Sequence, residues 1–282
     1  MSATDNRHTN SNREAPHRAR KRFGQNFLID EHIVDSIVSA VNPQPGECIV
    51  EIGPGRGALT ARLADRAEQL RVIELDRDLV PWLRVQFERH PDFRLYEADA
   101  LKFDFAPLGT EGRPLRIVGN LPYNISTPLI FHLLSFSGQV KDMHFMLQKE
   151  VVKRLAAGPG EKAYGRLGIM VQYDCEVAPL LEVPPSAFDP APKVDSAVVR
   201  LTPHARRPVT ANNFSTLSTL VNIAFQQRRK TLRNALKQWV PAEQMSDLPV
   251  DTSLRPEALS LDDYVTLSNA LDALNSVAVP PQ

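Results

Sequence analysis

The residues best placed to do chemistry are Asn120-Leu121-Pro122-Tyr123, which follow directly on the apolar run Leu115-Arg116-Ile117-Val118-Gly119. An amino group conjugated to a nucleobase is a weak nucleophile, because its lone pair is delocalised into the ring. Catalysis on such an amine needs acceptors aimed at its hydrogens, and the Asn120 side-chain carbonyl and the Leu121 backbone carbonyl are of that kind. Tyr123 adds a flat face on which an extruded base can stack. A proline-fixed turn around a buried tyrosine would have the same residues without the chemistry.

A second group of residues points to a ligand. In Cys48-Ile49-Val50-Glu51-Ile52-Gly53-Pro54-Gly55-Arg56-Gly57-Ala58-Leu59-Thr60 an apolar strand breaks into closely spaced glycines and resumes as a helix. Gly53 and Gly55 can adopt φ > 0 and bring backbone N–H groups near an anionic or nucleoside ligand at the helix N-terminus. Glu74 ends the next apolar run about 20 residues later, where a carboxylate can bind both ribose hydroxyls. Asp99 follows a third run and suits an exocyclic adenine amine as acceptor. Upstream, in Phe23-Gly24-Gln25-Asn26-Phe27-Leu28, the adjacent amides of Gln25 and Asn26 suit the ammonium and carboxylate of a zwitterion. A helix-capping turn at Asn26 or Asp30 is the plainer alternative. Glycine loop and Glu74 alone would equally permit a nicotinamide-dependent dehydrogenase.

These residues need a scaffold that collects strand ends. Runs at 48–52, 70–74, 93–97 and 115–119 alternate with helical patterns, which predicts a parallel, doubly wound α/β sheet with ligands beyond its carboxyl ends. Met143-Leu147, Leu167-Val171 and Val194-Leu201 read as further strands, and Lys149-Leu155 as a helix. Arg206-Arg207-Pro208 marks a linker. Beyond it Phe214, Leu217, Val221, Ala224, Phe225, Leu232, Leu236 and Trp239 keep helical spacing, and Ser260-Leu261-Asp262-Asp263 opens a last helix. This helical part carries Arg228, Arg229, Lys230, Arg233 and Lys237 without a nearby acid in sequence, a basic face suited to phosphates or simply to water.

Composition narrows the class. The chain has 282 residues, 43% hydrophobic and 23% charged, with 33 basic and 33 acidic side chains, so any nucleic-acid surface must arise from local clustering. Residues 1–19 are polar and rich in arginine, which predicts a disordered basic arm. Cys48 and Cys175 make neither a disulfide framework nor a metal spacing, so no metal is expected and a reducing cytoplasm is the simplest setting. His90, His132 and His144 are expected to be structural. No membrane span or secretory signal is evident.

Four motifs carry a family resemblance: Asn120-Leu121-Pro122-Tyr123, Phe23-to-Leu28, the Glu51-x-Gly53-x-Gly55 loop and Phe188-Asp189-Pro190-Ala191-Pro192-Lys193-Val194-Asp195-Ser196. With these motifs in the right order along the chain, and over Arg20 to about Leu274, the chain resembles the ribosomal RNA adenine dimethyltransferases, most closely the bacterial small-subunit (16S) branch. The resemblance implies a Rossmann-like methyltransferase domain over 20–203 and a helical RNA-binding domain over 204–282. It implies that Asn26, Leu28, Gly53, Glu74, Asp99 and Asn120 surround S-adenosyl-L-methionine, and that Tyr123 and Phe188 sandwich the target adenine. The implied reaction dimethylates two adjacent adenosines near the 3′ end of 16S rRNA. An immature small ribosomal subunit is then the partner, and a cytoplasmic monomer acting in subunit biogenesis is expected. A dehydrogenase and a non-catalytic RNA-binding assembly factor are the competing readings; Asn120-Leu121-Pro122-Tyr123 counts against the first and the complete set of cofactor residues against the second.

Overall fold

Apolar runs bounded by Gly, Pro and Asn become strands, and the amphipathic segments between them become helices that cover both faces of one sheet. The computed structural model describes residues 25–109 and 113–277. The arm at 1–19, and Phe23 and Gly24 of the first motif, lie outside the described residues. The chain runs β1 (Phe27–Leu28), α1 (Glu31–Val41), β2 (Cys48–Ile52), α2 (Ala58–Ala64), β3 (Gln69–Glu74), α3 (Val80–Phe87), β4 (Phe93–Glu97), β5 (Leu115–Asn120) and α4 (Ser126–Leu134). It continues through β6 (Val140–Gln148), α5 (Lys149–Ala156), α6 (Arg166–Asp174), β7 (Cys175–Val183), β8 (Phe188–Asp189) and β9 (Ser196–Pro203). Last come α7 (Phe214–Gln226), α8 (Leu232–Leu236) and α9 (Leu261–Val277).

The main sheet has the order β4-β3-β2-β5-β6-β9-β7, parallel from β4 to β6 and antiparallel at β6·β9 and β9·β7. Strand alternation sends Cys48, Val50 and Ile52 into a core with α4 and α5, and Ile49 into another with α1 and α2. This is the doubly wound arrangement expected from the sequence. Asp30 caps α1, its carboxylate accepting from the His32 and Ile33 amides, and Asn42 closes the helix in the left-handed conformation. At the amino ends of the strands, opposite the glycine loop, Arg116 donates to Asp142, Glu47 and the Asn42 carbonyl. That buried cation makes four hydrogen bonds and holds the closed end of the sheet.

Two expectations are corrected here. Leu167-Val171 is not a strand; it lies in α6, whose Leu167 and Val171 join the sheet core while Ile169, Met170 and Tyr173 join the core of the C-terminal helices. A short run apolar on every side cannot separate a buried strand from a helix packed between two cores. The helical pattern from Phe214 to Trp239 is also not continuous. It breaks after Gln226 and resumes at Leu232, so the basic run Arg228–Lys230 sits in a turn. The strand β7, unforeseen in the sequence, is an edge strand interrupted by Pro179 at a register shift, where a missing N–H costs least. Ser260 and Asp263 cap each other at the start of α9, as expected.

Gly168 lets α6 lie against α5. A Cβ there would fall 2.5 Å from the Arg154 carbonyl oxygen. Alanine usually stabilises a helix relative to glycine by about 1 kcal/mol, but at this backbone contact overpacking should win. Gly168→Ala is expected to lose about 1–3 kcal/mol of stability, measured by urea unfolding; a gain would mean that the α5–α6 contact is looser than described.

Candidate functional site

Parallel strands deliver β2, β3, β4 and β5 to one edge of the sheet, and their carboxyl ends surround a cavity of about 210 Å³. Gly53 and Gly55 turn away from β2 at φ +68° and +57°, a region side chains other than glycine rarely occupy. A Cβ on Gly55 would also fall 2.9 Å from the Phe27 ring, so β1 packs directly on the loop. At Gly119 a Cβ would meet the Ile52 carbonyl at 2.7 Å, and this absence of a side chain lets β5 close against the end of β2. The cavity is lined by Gln25, Asn26, Leu28, Gly53, Gly55, Glu74, Asp99, Asn120, Leu121 and Tyr123, which the sequence singled out from five separate stretches.

Asn120 is the best-defined of these. Its side-chain nitrogen donates to the Asn26 carbonyl oxygen at 3.1 Å. A carbonyl only accepts, so this bond fixes which edge of the amide is nitrogen and leaves Oδ1 as the acceptor edge. Tyr123 is steadied at its far end by Ser196, 3.0 Å from its hydroxyl. The Ser of the Phe188-to-Ser196 motif therefore holds the tyrosine of the other motif. Glu74 accepts from the Asp76 amide at 2.7 Å and the Gly55 amide at 3.4 Å. Burial raises its pKa, against those two bonds. Asp99 caps its own turn, with the Leu101 amide on one carboxylate oxygen at 3.0 Å, and lines the cavity as well. Gln25 donates to Asp76, which also lines the cavity.

Phe188 departs from expectation. Its ring is 4% exposed, packs with Leu28, Val34 and Val183, and is not part of the cavity wall; its backbone faces Leu28 across the β1·β8 pair. A large aromatic side chain at a strand end had a better-packed place available than the ligand edge. Arg228 departs as well. It donates to Glu257 at 2.7 Å and to the Lys162 carbonyl at 2.7 Å, so the acid that matches it comes from a distant stretch. Arg229, Lys230 and Arg233 are exposed. The rings of His90 and His132 bond to the Ala67 and Phe103 carbonyls, and His144 lies buried beside Asp142.

Sequence reasoning gave no role to Glu51, which lines the cavity although 1% exposed. Its signals are a carboxylate inside an apolar strand and its place at the head of the glycine-loop motif. Burial, with the Glu74 charge adding to it, pushes the Glu51 carboxyl up to about 8. Asp76, Arg56 and Leu75 also line the cavity without having been marked by spacing.

A doubly wound sheet with a glycine loop, acidic strand ends and an Asn-Leu-Pro-Tyr turn around one cavity is a Rossmann-like methyltransferase fold. The model of the family "Ribosomal RNA adenine dimethylase" matches residues 16–273, and the chain belongs to that family. "Ribosomal RNA small subunit methyltransferase A" of Marinobacter nauticus is 61% identical over 255 residues, covering 90% of this chain and 92% of that protein. The protein of the same name from Saccharophagus degradans is 59% identical, covering 90% and 95%. Among solved structures, a dimethyladenosine transferase from Plasmodium falciparum has a TM-score of 0.75 at 28% identity, covering 88% of this chain and 98% of that one. The 23S rRNA methyltransferase ErmE has a TM-score of 0.69 at 25% identity, covering 88% and 100%.

Glu51 makes stability depend on pH. Its folded pKa lies above that of a carboxyl in the unfolded chain, so between about 4.5 and about 8 unfolding releases a proton. Stability from this group is complete below that window and falls as pH rises through it, by up to about 1.4 kcal/mol per pH unit. Glu74 shifts in the same direction. Glu51→Gln should flatten the decline in unfolding free energy between pH 5 and 8; an unchanged slope would show that Glu51 is ionised in the folded protein.

Proposed function

We propose that this protein transfers methyl groups from S-adenosyl-L-methionine to the N6 amines of two adjacent adenosines near the 3′ end of 16S rRNA, giving N6,N6-dimethyladenosine. The substrate is an immature small ribosomal subunit, the setting the cytoplasm, and the role subunit biogenesis. The observation that carries this reading is the orientation of Asn120, whose side-chain nitrogen donates to the Asn26 carbonyl so that Oδ1 is left as the acceptor edge of a residue in the cavity wall. The names of the bacterial relatives support the choice of small-subunit RNA.

The cavity suits the donor on structural grounds. A Cβ added at Gly53 meets nothing nearer than the Asn120 carbonyl at 3.9 Å, so the loop is open on that side. Glu74 is a buried carboxyl that burial pushes toward its neutral form, and a pair of ribose hydroxyls would supply the donors that favour its charge. Gln25 and Asn26 are placed for the amino-acid end, Leu28, Gly53 and Gly55 for the wall, and Asp99 for the adenine amine. When bound, S-adenosyl-L-methionine supplies an electrophilic methyl on a positively charged sulfur, and no covalent enzyme intermediate is required. The chain's own part is positioning. Asn120 Oδ1 and the Leu121 carbonyl accept from the target amine, keeping its lone pair directed at the methyl, and Tyr123 stacks on the extruded base. Phe188, in its buried place, supports β1 from beneath; completing a sandwich with Tyr123 would require its ring to leave that packing.

Residues 20–203 would carry the chemistry and 204–282 the RNA contacts. Arg229, Lys230 and Arg233 are the exposed phosphate-binding candidates, while Arg228 shapes their turn through Glu257.

Incubation with labelled S-adenosyl-L-methionine and unmethylated small or large ribosomal subunits, followed by mapping of the labelled nucleotides, tests the reading directly. Label at two adjacent adenosines near the 3′ end is expected; label confined to large subunits, or none, would overturn it. In the same assay Asn120→Ala should raise the barrier by roughly 2.7–4 kcal/mol, a loss of about a hundredfold or more in rate, while keeping the fold by circular dichroism. Replacing Arg229, Lys230 and Arg233 by Gln should weaken subunit binding and flatten its log–log salt dependence by up to about two units. Donor affinity should stay as it was; an unchanged salt slope would place the phosphate contacts elsewhere.

A further inference from the structure

The side chain of Arg56 leaves the glycine loop, crosses the Phe27 ring with its guanidinium carbon 4.5 Å from the ring centroid, and reaches the Asp189 carboxylate at 3.4 Å. Three segments far apart in sequence thereby meet: the loop after β2, strand β1 and strand β8. They are in contact by other means as well. Phe27 lies opposite Asp189 and Leu28 opposite Phe188 in the β1·β8 ladder, and the Ile29 and Asp30 amides donate to Ala187. The Phe27 ring occupies the space beside Gly55, and Asn26, one residue earlier, receives the Asn120 amide. Arg56 also lines the cavity.

We propose that Arg56 is a positioning residue that latches the glycine loop to β8, so that occupancy of the donor cavity and binding of the target RNA are coupled. The inference rests on the proposed function, because it takes the cavity as the donor site and Tyr123, held by Ser196 at the far end of the segment that begins at β8, as the stacking face for the target base. An exposed ion pair at this distance stabilises little by itself; the side chains of Arg56 and Asp189 are 31% and 58% exposed. Its effect is geometric. Arginine presents a flat face to the phenylalanine and an edge to the carboxylate at the same time, which lysine cannot do. A ligand that settles against Gly53 and Gly55 presses on Phe27 and Arg56 together, and both lead directly to β8. The path is a short, unbroken chain of packed groups.

Coupling of this kind is reciprocal and typically changes affinity by about fivefold or more. The test is equilibrium binding of unmethylated small subunits with and without saturating S-adenosyl-L-homocysteine, for wild type, Arg56→Leu, Asp189→Asn and the double variant. In the wild type the ligand should tighten subunit binding. Each single variant should reduce that gain to less than about twofold, and the double variant should lose no more than either single one. Asp189→Asn keeps the shape of the side chain, so it answers the question even if Arg56→Leu folds poorly. Full coupling in both single variants overturns the latch. So does equal weakening of subunit binding with and without ligand in Arg56→Leu alone, which would make Arg56 a phosphate contact. A wild-type protein that binds no S-adenosyl-L-homocysteine overturns the proposed function itself and the latch with it.

Discussion

One hydrogen bond ties the site together: the Asn120 amide on the Asn26 carbonyl, 3.1 Å long and spanning 94 residues of sequence. Its partners come from the segment before the first helix and from the end of β5. The first is also held by the β1·β8 pair and the second by the β5·β6 ladder, and this bond joins the two at one edge of the sheet. With the bond made, the segment carrying Gln25, Asn26 and Leu28 becomes one wall of the cavity and the amide of Asn120 is held in one of its two orientations. The strand ends then need only arrive at the same edge, which a parallel sheet guarantees. The remaining features adapt to this arrangement: Gly119 lets β5 approach β2, Gly55 leaves room for Phe27, and Ser196 holds Tyr123.

The parts legible in sequence are those where a local rule dictates the outcome. Cys48–Ile52 and Phe93–Glu97 were found to the residue, because each is an apolar or alternating run between turn signals. Glycines at 53 and 55, and acids at the ends of two runs, mark a ligand edge whatever the ligand is. The less legible parts depended on distant partners. Leu167-Val171 looked like a strand because nothing in five apolar residues reveals that two cores lie on either side. Arg228 looked unpaired because Glu257 is far along the chain. Phe188 was assigned to the ligand, since a motif specifies neighbours in sequence but not which cavity a ring will choose.

Charge has a similar division of labour. The guanidinium of Arg116, paired twice with Asp142 and again with Glu47, sits at the amino ends of the strands and has no open edge for a ligand. Carboxyls at the opposite ends are treated differently. Glu51 is left with an oxygen that has no hydrogen-bond partner among the described residues, and Glu74 is held only by backbone amides. One end of the sheet satisfies its charges internally; the other keeps polar groups whose needs a bound molecule can meet.

The helix α6 carries a consequence for how the molecule comes apart. Because successive faces of its nine residues belong to two different cores, neither core can lose α6 without the other losing a wall. Sheet and C-terminal helices therefore form one cooperative unit under denaturant, although they look like two modules joined by a linker at 206–208. A break between them would have to be made through α6 itself, and a fragment cut at the linker would keep a helix whose outer face, Ile169, Met170 and Tyr173, had become a sticky apolar stripe.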